Sequence, residues 1–145
     1  MRSEEVRRFS NSLVIGSMRH TDRLPARSFE DLIVWQKARE LVIMVYTLTD
    51  RFPAEERFGM TAQLRDAANS IPTNISEGFR RRSLAEKARF LNIAQASCDE
   101  VRNWLILARD RRYGDVDPVL RKQEEVARLL NSYRGTIVSR MGGKE

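Results

Sequence analysis

The side chains best suited to chemistry in this 145-residue chain are basic, and their densest group lies near its middle. Arg80, Arg81 and Arg82 are consecutive, and Lys87 and Arg89 follow within the next seven residues. Because guanidinium and ammonium groups neutralise phosphates, this spacing predicts a nucleic-acid contact site that weakens with salt and reads little sequence. The alternative is a solvated connection between helices, for which a charge run is also typical.

The overall charge favours the same class of partner. The formal net charge of +6 at pH 7 favours contact with polyanions such as RNA, or with acidic proteins. Half of this excess lies in residues 1–27, which hold six arginines and three acidic residues. Since this segment has no sustained apolar period, we predict that it is a flexible basic tail.

Candidates for catalysis or metal binding are few. The single histidine, His20, lies in the predicted tail, and the single cysteine, Cys98, lies at an apolar helical position. Zinc sites and the di-iron sites of some helical bundles need more His or Cys than this. Glu77 and Glu100, on consecutive predicted helices, could meet as an acid and a base, although bonding to neighbouring helix ends is the simpler interpretation. We expect no catalytic residue, no metal and no cofactor.

These residues must be positioned by four segments in which apolar residues recur with the period of an α-helix. The first begins with a capping-box pattern at Ser28, the third begins with another at Ser83, and the fourth begins near Pro118. We predict helices at about 29–52, 54–77, 83–112 and 117–141. The pattern indicates an all-α protein, an antiparallel up-down-up-down four-helix bundle over residues 28–141, with residues 142–145 as its C-terminal end.

The segment Ser70–Gly78 is unusual for a helix because Pro72 falls inside it. Proline removes one helical hydrogen bond and clashes with the preceding turn, so we expect a kink at 70–72. Ser70 and Asn74 could satisfy the freed backbone groups, and Gly78 could close the helix in the left-handed conformation. A ligand or RNA role for Asn74 and Glu77 is the alternative.

Two tryptophans lie at the margins of the apolar stripes. Trp35 and Trp104 could pack into the core of one bundle. However, the predicted first and third helices carry more apolar face than one four-helix core needs, which favours a homo-oligomer with these tryptophans at its interface.

The compartment is predicted from two absences in the sequence. One cysteine cannot form an intramolecular disulfide, and no apolar run reaches the roughly 18 to 20 residues of a membrane span. We therefore expect a cytoplasmic protein without a membrane partner.

Several segments together resemble one known family. The chain is similar to the bacterial four-helix-bundle proteins called 23S rRNA intervening-sequence proteins, over about residues 28–135. The matching motifs are Ser70–Gly78, Phe29–Ala38, Phe52-Pro53, Phe58–Arg65 and Phe90–Glu100. Two residues depart from the family pattern: Asp66 replaces a basic residue, and Ala96 replaces a glycine.

The resemblance implies ring-shaped homo-oligomers, with pentamers expected. It also implies kinship with an accessory bundle of diversity-generating retroelements that binds reverse transcriptase and nucleic acid. Our first hypothesis is thus a non-enzymatic, homo-oligomeric bundle that associates with RNA or acts as a scaffold. The second is a protein–protein adaptor or accessory subunit without direct RNA binding. The third is an enzyme that uses Glu77 and Glu100.

Overall fold

The computed structural model describes residues 25–142, and four α-helices account for most of them. The part of the chain so described contains no strand, so the predicted all-α class with four helices is confirmed. Residues 1–24, including His20, and residues 143–145 lie outside the described part. The helices are α1 (Ile33–Thr49), α2 (Met60–Arg80), α3 (Leu84–Asp110) and α4 (Asp117–Gly142).

Two single turns of 3₁₀-helix precede α1 and α2. The capping box at Ser28 is present, but it caps the turn Phe29–Asp31. The Ser28 hydroxyl accepts from the Glu30 N–H at 3.2 Å, and the Asp31 carboxylate accepts from the Ser28 N–H at 3.3 Å. The helix α1 itself begins at Ile33, because the backbone of Leu32 is extended.

The second turn, Ala54–Glu56, lies where the sequence suggested the start of the second helix. The helix α2 instead begins at Met60, whose N–H donates to the Glu56 carboxylate at 3.0 Å. This contact satisfies one of the four N–H groups that every helix start leaves unpaired.

The C-terminal end of α2 corrects one expectation. Gly78 does not close the helix, since α2 continues with helical backbone to Arg80. Instead, Gly78 is buried where α2 crosses α3: a Cβ at this position would lie 3.2 Å from the Phe90 Cβ and 3.4 Å from the Lys87 carbonyl oxygen. The missing side chain therefore lets the two helices approach closely.

The core is formed by all four helices. The helices α1 and α3 each pack against both α2 and α4. Full burial of one large apolar side chain contributes roughly 1.5–3 kcal/mol, so this shared core is the main source of stability. Fully buried apolar side chains include Leu41, Val45, Leu64, Ile71, Ile75, Leu91, Val101, Leu105, Val126 and Leu130.

A buried glutamine joins α3 to α4 inside this core. Gln123 is 1% exposed. Its Nε2 donates to the Cys98 carbonyl oxygen at 3.1 Å, and its Oε1 accepts from Arg102 Nη1 at 3.4 Å. The amide is therefore hydrogen-bonded at both ends, as a buried polar group must be to avoid a desolvation cost.

Ion pairs join α1 to α4 on the surface. Lys122 Nζ lies 2.7 Å from Glu40 Oε2, and Lys37 Nζ lies 3.6 Å from Glu125 Oε1. Burial disfavours the ionised Glu40, but the hydrogen bond and charge of Lys122, together with Lys37, outweigh it and lower the pKa of Glu40. Burial likewise opposes the charge on Lys122, whereas Glu40 and Glu125 raise the pKa of Lys122 overall.

The helix α3 ends in a Schellman motif. The Tyr113 N–H donates to the Ala108 carbonyl at 3.0 Å, and the Arg112 N–H donates to the Arg109 carbonyl at 3.0 Å. Arg112 holds the left-handed position of this motif, with φ of 59°.

Among residues 25–142, no helix has the length and apolar character needed to cross a membrane.

Candidate nucleic-acid interface

The predicted nucleic-acid residues lie around the junction between α2 and α3. Arg80 ends α2, and Arg81 and Arg82 lead to the N-cap residue Ser83, whose hydroxyl accepts from the Glu86 N–H at 3.1 Å. Both helix ends are thus fixed within three residues of each other, which holds the arginine run beside the first turns of α3.

Among the five predicted residues, Arg80 and Arg82 are the two whose charges no described residue compensates. Both side chains are exposed. Neither forms a hydrogen bond or an ion pair with another residue of the described range 25–142. Their guanidinium groups are therefore available to an external anion.

Lys87 is placed differently from the arginines. Its Nζ donates to the Phe79 carbonyl oxygen at 2.7 Å and to the Gly78 carbonyl oxygen at 3.3 Å. It therefore neutralises the negative end of α2, where carbonyls are left without helical partners. Burial lowers the pKa of Lys87, and the positive charge of Arg140 lowers it further.

Arg140 belongs to the same group, because its charge acts on Lys87 from the last turn of α4. We define the basic cluster as Arg80, Arg81, Arg82, Lys87, Arg89 and Arg140. The sequence offered no signal for Arg140, because only the packing of α4 against α3 brings it near residues some fifty positions earlier.

Arg81 and Arg89 are held in place by neighbouring side chains. Arg81 Nη2 lies 3.2 Å from Glu77 Oε2, and Arg89 Nε lies 3.2 Å from Glu86 Oε2. Both guanidinium groups also stack against the Phe90 ring, each with its central carbon 4.6 Å from the ring centroid. In the sequence, Phe90 stands out only as the first residue of the motif Phe90–Glu100, so its role as their common support was missed.

The signature segment Ser70–Gly78 forms a polar contact between α2 and α3. Asn74 Nδ2 donates to the Ser70 carbonyl at 2.8 Å and to the Ser70 hydroxyl at 3.0 Å. The same hydroxyl accepts from the Ser97 hydroxyl at 2.8 Å. Asn74 thus bonds the Ser70 carbonyl, not the Ala68 carbonyl that Pro72 leaves without a partner, while the Ser70 side chain joins the two helices. The helix runs through Pro72 without ending.

Glu77 and Glu100 do not form the buried acid–base pair that the enzyme hypothesis required. Both are exposed. Glu77 contacts Arg81, and Glu100 accepts from the Trp104 indole N–H at 3.4 Å, so each interacts within its own stretch of chain.

Cys98 is a core residue. It is 1% exposed, and burial raises the pKa of its thiol to about 11, a shift that the hydrogen bond from Gln123 opposes. A thiol in this state is a poor nucleophile and a poor ligand. Within residues 25–142, no group of three or more His, Cys, Asp or Glu side chains could hold a metal ion.

The two tryptophans lie at the edge of the core. Trp35 packs against the core and meets the Phe29 ring edge-on, with centroids 5.1 Å apart. Trp104 also packs against the core, and it lies one turn from Leu107, which is 40% exposed. The Trp35 side chain therefore packs mainly inside its own bundle, whereas Trp104 lies beside exposed apolar surface.

Comparisons with known proteins support the four-helix fold. The chain is similar to a solved structure of a protein of unknown function from the S23 ribosomal protein family of Bacteroides thetaiotaomicron. The identity is 26% and the TM-score 0.66, over 71% of this chain and 96% of that chain. No curated protein matches. The family model described as 23S rRNA-intervening sequence protein matches residues 30–132, well over half of the sequence, and the chain therefore belongs to that family.

Proposed function

We propose that this protein is a non-enzymatic, RNA-associated subunit of a homo-oligomer, and that it contacts RNA through the basic cluster. The observation that supports this proposal most is the convergence of six cations from α2, its connection to α3, α3 itself and α4. Within residues 25–142, only two carboxylates, Glu77 and Glu86, form ion pairs with them. A local excess of this sign attracts a polyanion.

Within the cluster, the exposed guanidinium groups of Arg80 and Arg82 contact phosphates. Each phosphate that they neutralise releases condensed counterions, so binding weakens as the salt concentration rises. The pairs of Arg81 and Arg89 with their glutamates lie at the surface, where such pairs are worth about 0–1 kcal/mol.

The proposed assembly is a ring of antiparallel up-down-up-down bundles, a pentamer by resemblance to the family. Exposed apolar side chains support an interface between copies: Ile43 on α1 is 57% exposed, and Leu107, one turn from Trp104 on α3, is 40% exposed. A ring repeats the basic cluster around its axis and so adds the fields of several clusters. The mass of the native particle tests this assembly.

A single unpaired thiol at Cys98 suits a reducing cytoplasm.

RNA binding is tested with a pair of double variants. Arg80→Ala/Arg82→Ala removes two exposed charges from the cluster. Arg109→Ala/Arg121→Ala removes two exposed charges elsewhere and serves as the matched control. Anisotropy of a labelled, unstructured single-stranded RNA is measured at several salt concentrations.

We expect the first variant to bind more weakly and the control to bind like the unmodified protein. Loss of two phosphate contacts makes the negative slope of log K against log salt shallower by about 1.4, at about 0.7 per contact on a single strand. Equal weakening in both variants would show that only total charge matters. Binding unchanged in Arg80→Ala/Arg82→Ala would remove the cluster as the site.

The alternative proposal is a protein–protein adaptor whose charges only provide solubility. One observation favours it: the Phe58 ring, in the connection before α2, is 87% exposed. An apolar side chain this exposed is a typical anchor for a protein partner. Absence of copurifying RNA after nuclease-free purification, together with a stoichiometric protein partner lost in Phe58→Ser, would favour the adaptor.

A further inference from the structure

The most specific feature of the basic cluster is the aromatic ring at its centre. Phe90 is half-buried at the crossing of α2 and α3, where its Cβ lies against Gly78. The guanidinium groups of Arg81 and Arg89 both lie 4.6 Å from its centroid. One ring therefore supports two cations, one from the end of α2 and one from the first turns of α3.

The carboxylate partners of these arginines hold their edges. Glu77 contacts Nη2 of Arg81, and Glu86 contacts Nε of Arg89. The central carbon of each guanidinium lies over the ring, and a carboxylate accepts from one of its nitrogens. The side chains are nevertheless 46% and 58% exposed, respectively. Part of each planar guanidinium side chain therefore stays open to solvent.

We propose that the basic cluster is a site for single-stranded RNA, in which unpaired bases stack on the exposed faces of Arg81 and Arg89. Guanidinium planes are a common support for splayed-out bases. Arg80 and Arg82, whose donors are unpaired, contact the phosphates on either side. This inference rests on the proposed function and specifies the class of RNA.

A duplex cannot use this arrangement in the same way. Its base faces are covered by neighbouring base pairs, and it presents only phosphates and groove edges to a flat cation. It therefore gains the phosphate contacts of Arg80 and Arg82 without the stacking. The cluster prefers single strands, with little dependence on sequence because every base has a π-face.

Phe90→Leu isolates the stacking contribution. Leucine keeps the Cβ that packs against Gly78 and removes the ring that supports both guanidinium groups. Phe58→Leu is the matched control, since the Phe58 ring also has an arginine over it, with the central carbon of Arg57 at 5.3 Å. Phe58 precedes the start of α2 and the cluster follows its end, about 30 Å away at 1.5 Å per residue.

The probes are one unstructured single-stranded RNA and the duplex of the same sequence, measured by anisotropy over a salt series. We expect the unmodified protein to bind the single strand at least about tenfold more tightly. Phe90→Leu should lose at least about fivefold on the single strand, as loss of one stacked base predicts. Its salt slope and duplex affinity should not change, and Phe58→Leu should match the unmodified protein.

A second variant covers the case in which Phe90→Leu unfolds. Arg81→Lys/Arg89→Lys keeps both charges but removes both planar faces, so single-strand affinity should fall with the salt slope preserved. Equal affinity for single strand and duplex, or no loss in either variant, would overturn the stacking inference while leaving RNA binding intact. If neither RNA form binds the unmodified protein, the proposed function itself fails.

Discussion

Substitution of Gly78 tests how closely α2 and α3 must approach. Alanine is favoured over glycine inside a helix by about 0.8–1.0 kcal/mol, and Gly78 lies inside α2. However, an added Cβ would lie 3.2 Å from the Phe90 Cβ and 3.4 Å from the Lys87 carbonyl oxygen. Ordinary contacts between carbon atoms are about 3.5–4.0 Å.

Neither neighbouring atom can rotate out of the way. One is a Cβ and the other a backbone oxygen, so relief requires a shift of α3 as a whole. Overpacking of this kind costs about 1–3 kcal/mol. Taking about 2 kcal/mol for the overlap and subtracting about 1 kcal/mol of helix preference, we expect Gly78→Ala to lower the free energy of unfolding by about 1 kcal/mol.

Gly135→Ala is the matched control, because Gly135 lies inside α4 and a Cβ there meets nothing within 4 Å. This variant should gain about 1 kcal/mol, so the two alanines should differ by about 2 kcal/mol. Urea unfolding followed by circular dichroism, at one protein concentration, measures both. Equal stabilisation by the two substitutions would refute the close approach of α2 to α3.

Three further outcomes follow from the described contacts. Arg112→Gly should raise the free energy of unfolding by about 0.5 kcal/mol, because relief of the left-handed φ outweighs the added freedom of the unfolded chain; an unchanged or lower melting temperature would contradict this. Glu40→Gln should cost a few tenths of a kcal/mol at neutral pH. Since folding lowers the pKa of Glu40, that stability is present above its unfolded value of 4.5 and is lost as pH falls through the folded value. The difference between Glu40→Gln and the unmodified protein, measured by unfolding, should vanish in acid. Iodoacetamide should alkylate Cys98 far more slowly in the folded than in the urea-unfolded protein at pH 8, since the thiol is buried and its pKa is raised to about 11; equal rates by mass spectrometry would show that the core opens there.

The apolar period predicted the helices and much of their buried face. In the first helix this period recurs at Val34, Ala38, Leu41 and Val45, and all four are buried. Such predictions succeed because one period of about 3.6 residues determines which positions share a face.

Helix ends were harder to predict because they depend on contacts between segments. Glycine favours both a left-handed helix end and a close helix crossing, and the sequence alone does not distinguish the two at Gly78. The contact between Phe90 and Gly78 shows that this glycine serves the close crossing of α2 and α3.

The basic residues show a second limit of sequence reasoning. Residue type predicts an affinity for phosphate equally for Lys87 and for Arg80. Only the fold reveals that the Lys87 ammonium is within 2.7 Å of the Phe79 carbonyl oxygen, whereas Arg80 is exposed. Arg140 was missed for the same reason, since no periodic signal relates it to the end of α2.

The buried amide of Gln123 has a consequence for the alignment of α3 and α4. Apolar side chains can exchange partners, so a purely apolar interface would let α3 slide along α4 by one helical turn, about 5.4 Å. Sliding would separate Gln123 from the Cys98 carbonyl and from Arg102. Each polar group left without a partner in the core costs about 1–3 kcal/mol. The hydrogen bonds of this amide therefore select one axial alignment of α3 and α4 among several that would bury similar apolar surface.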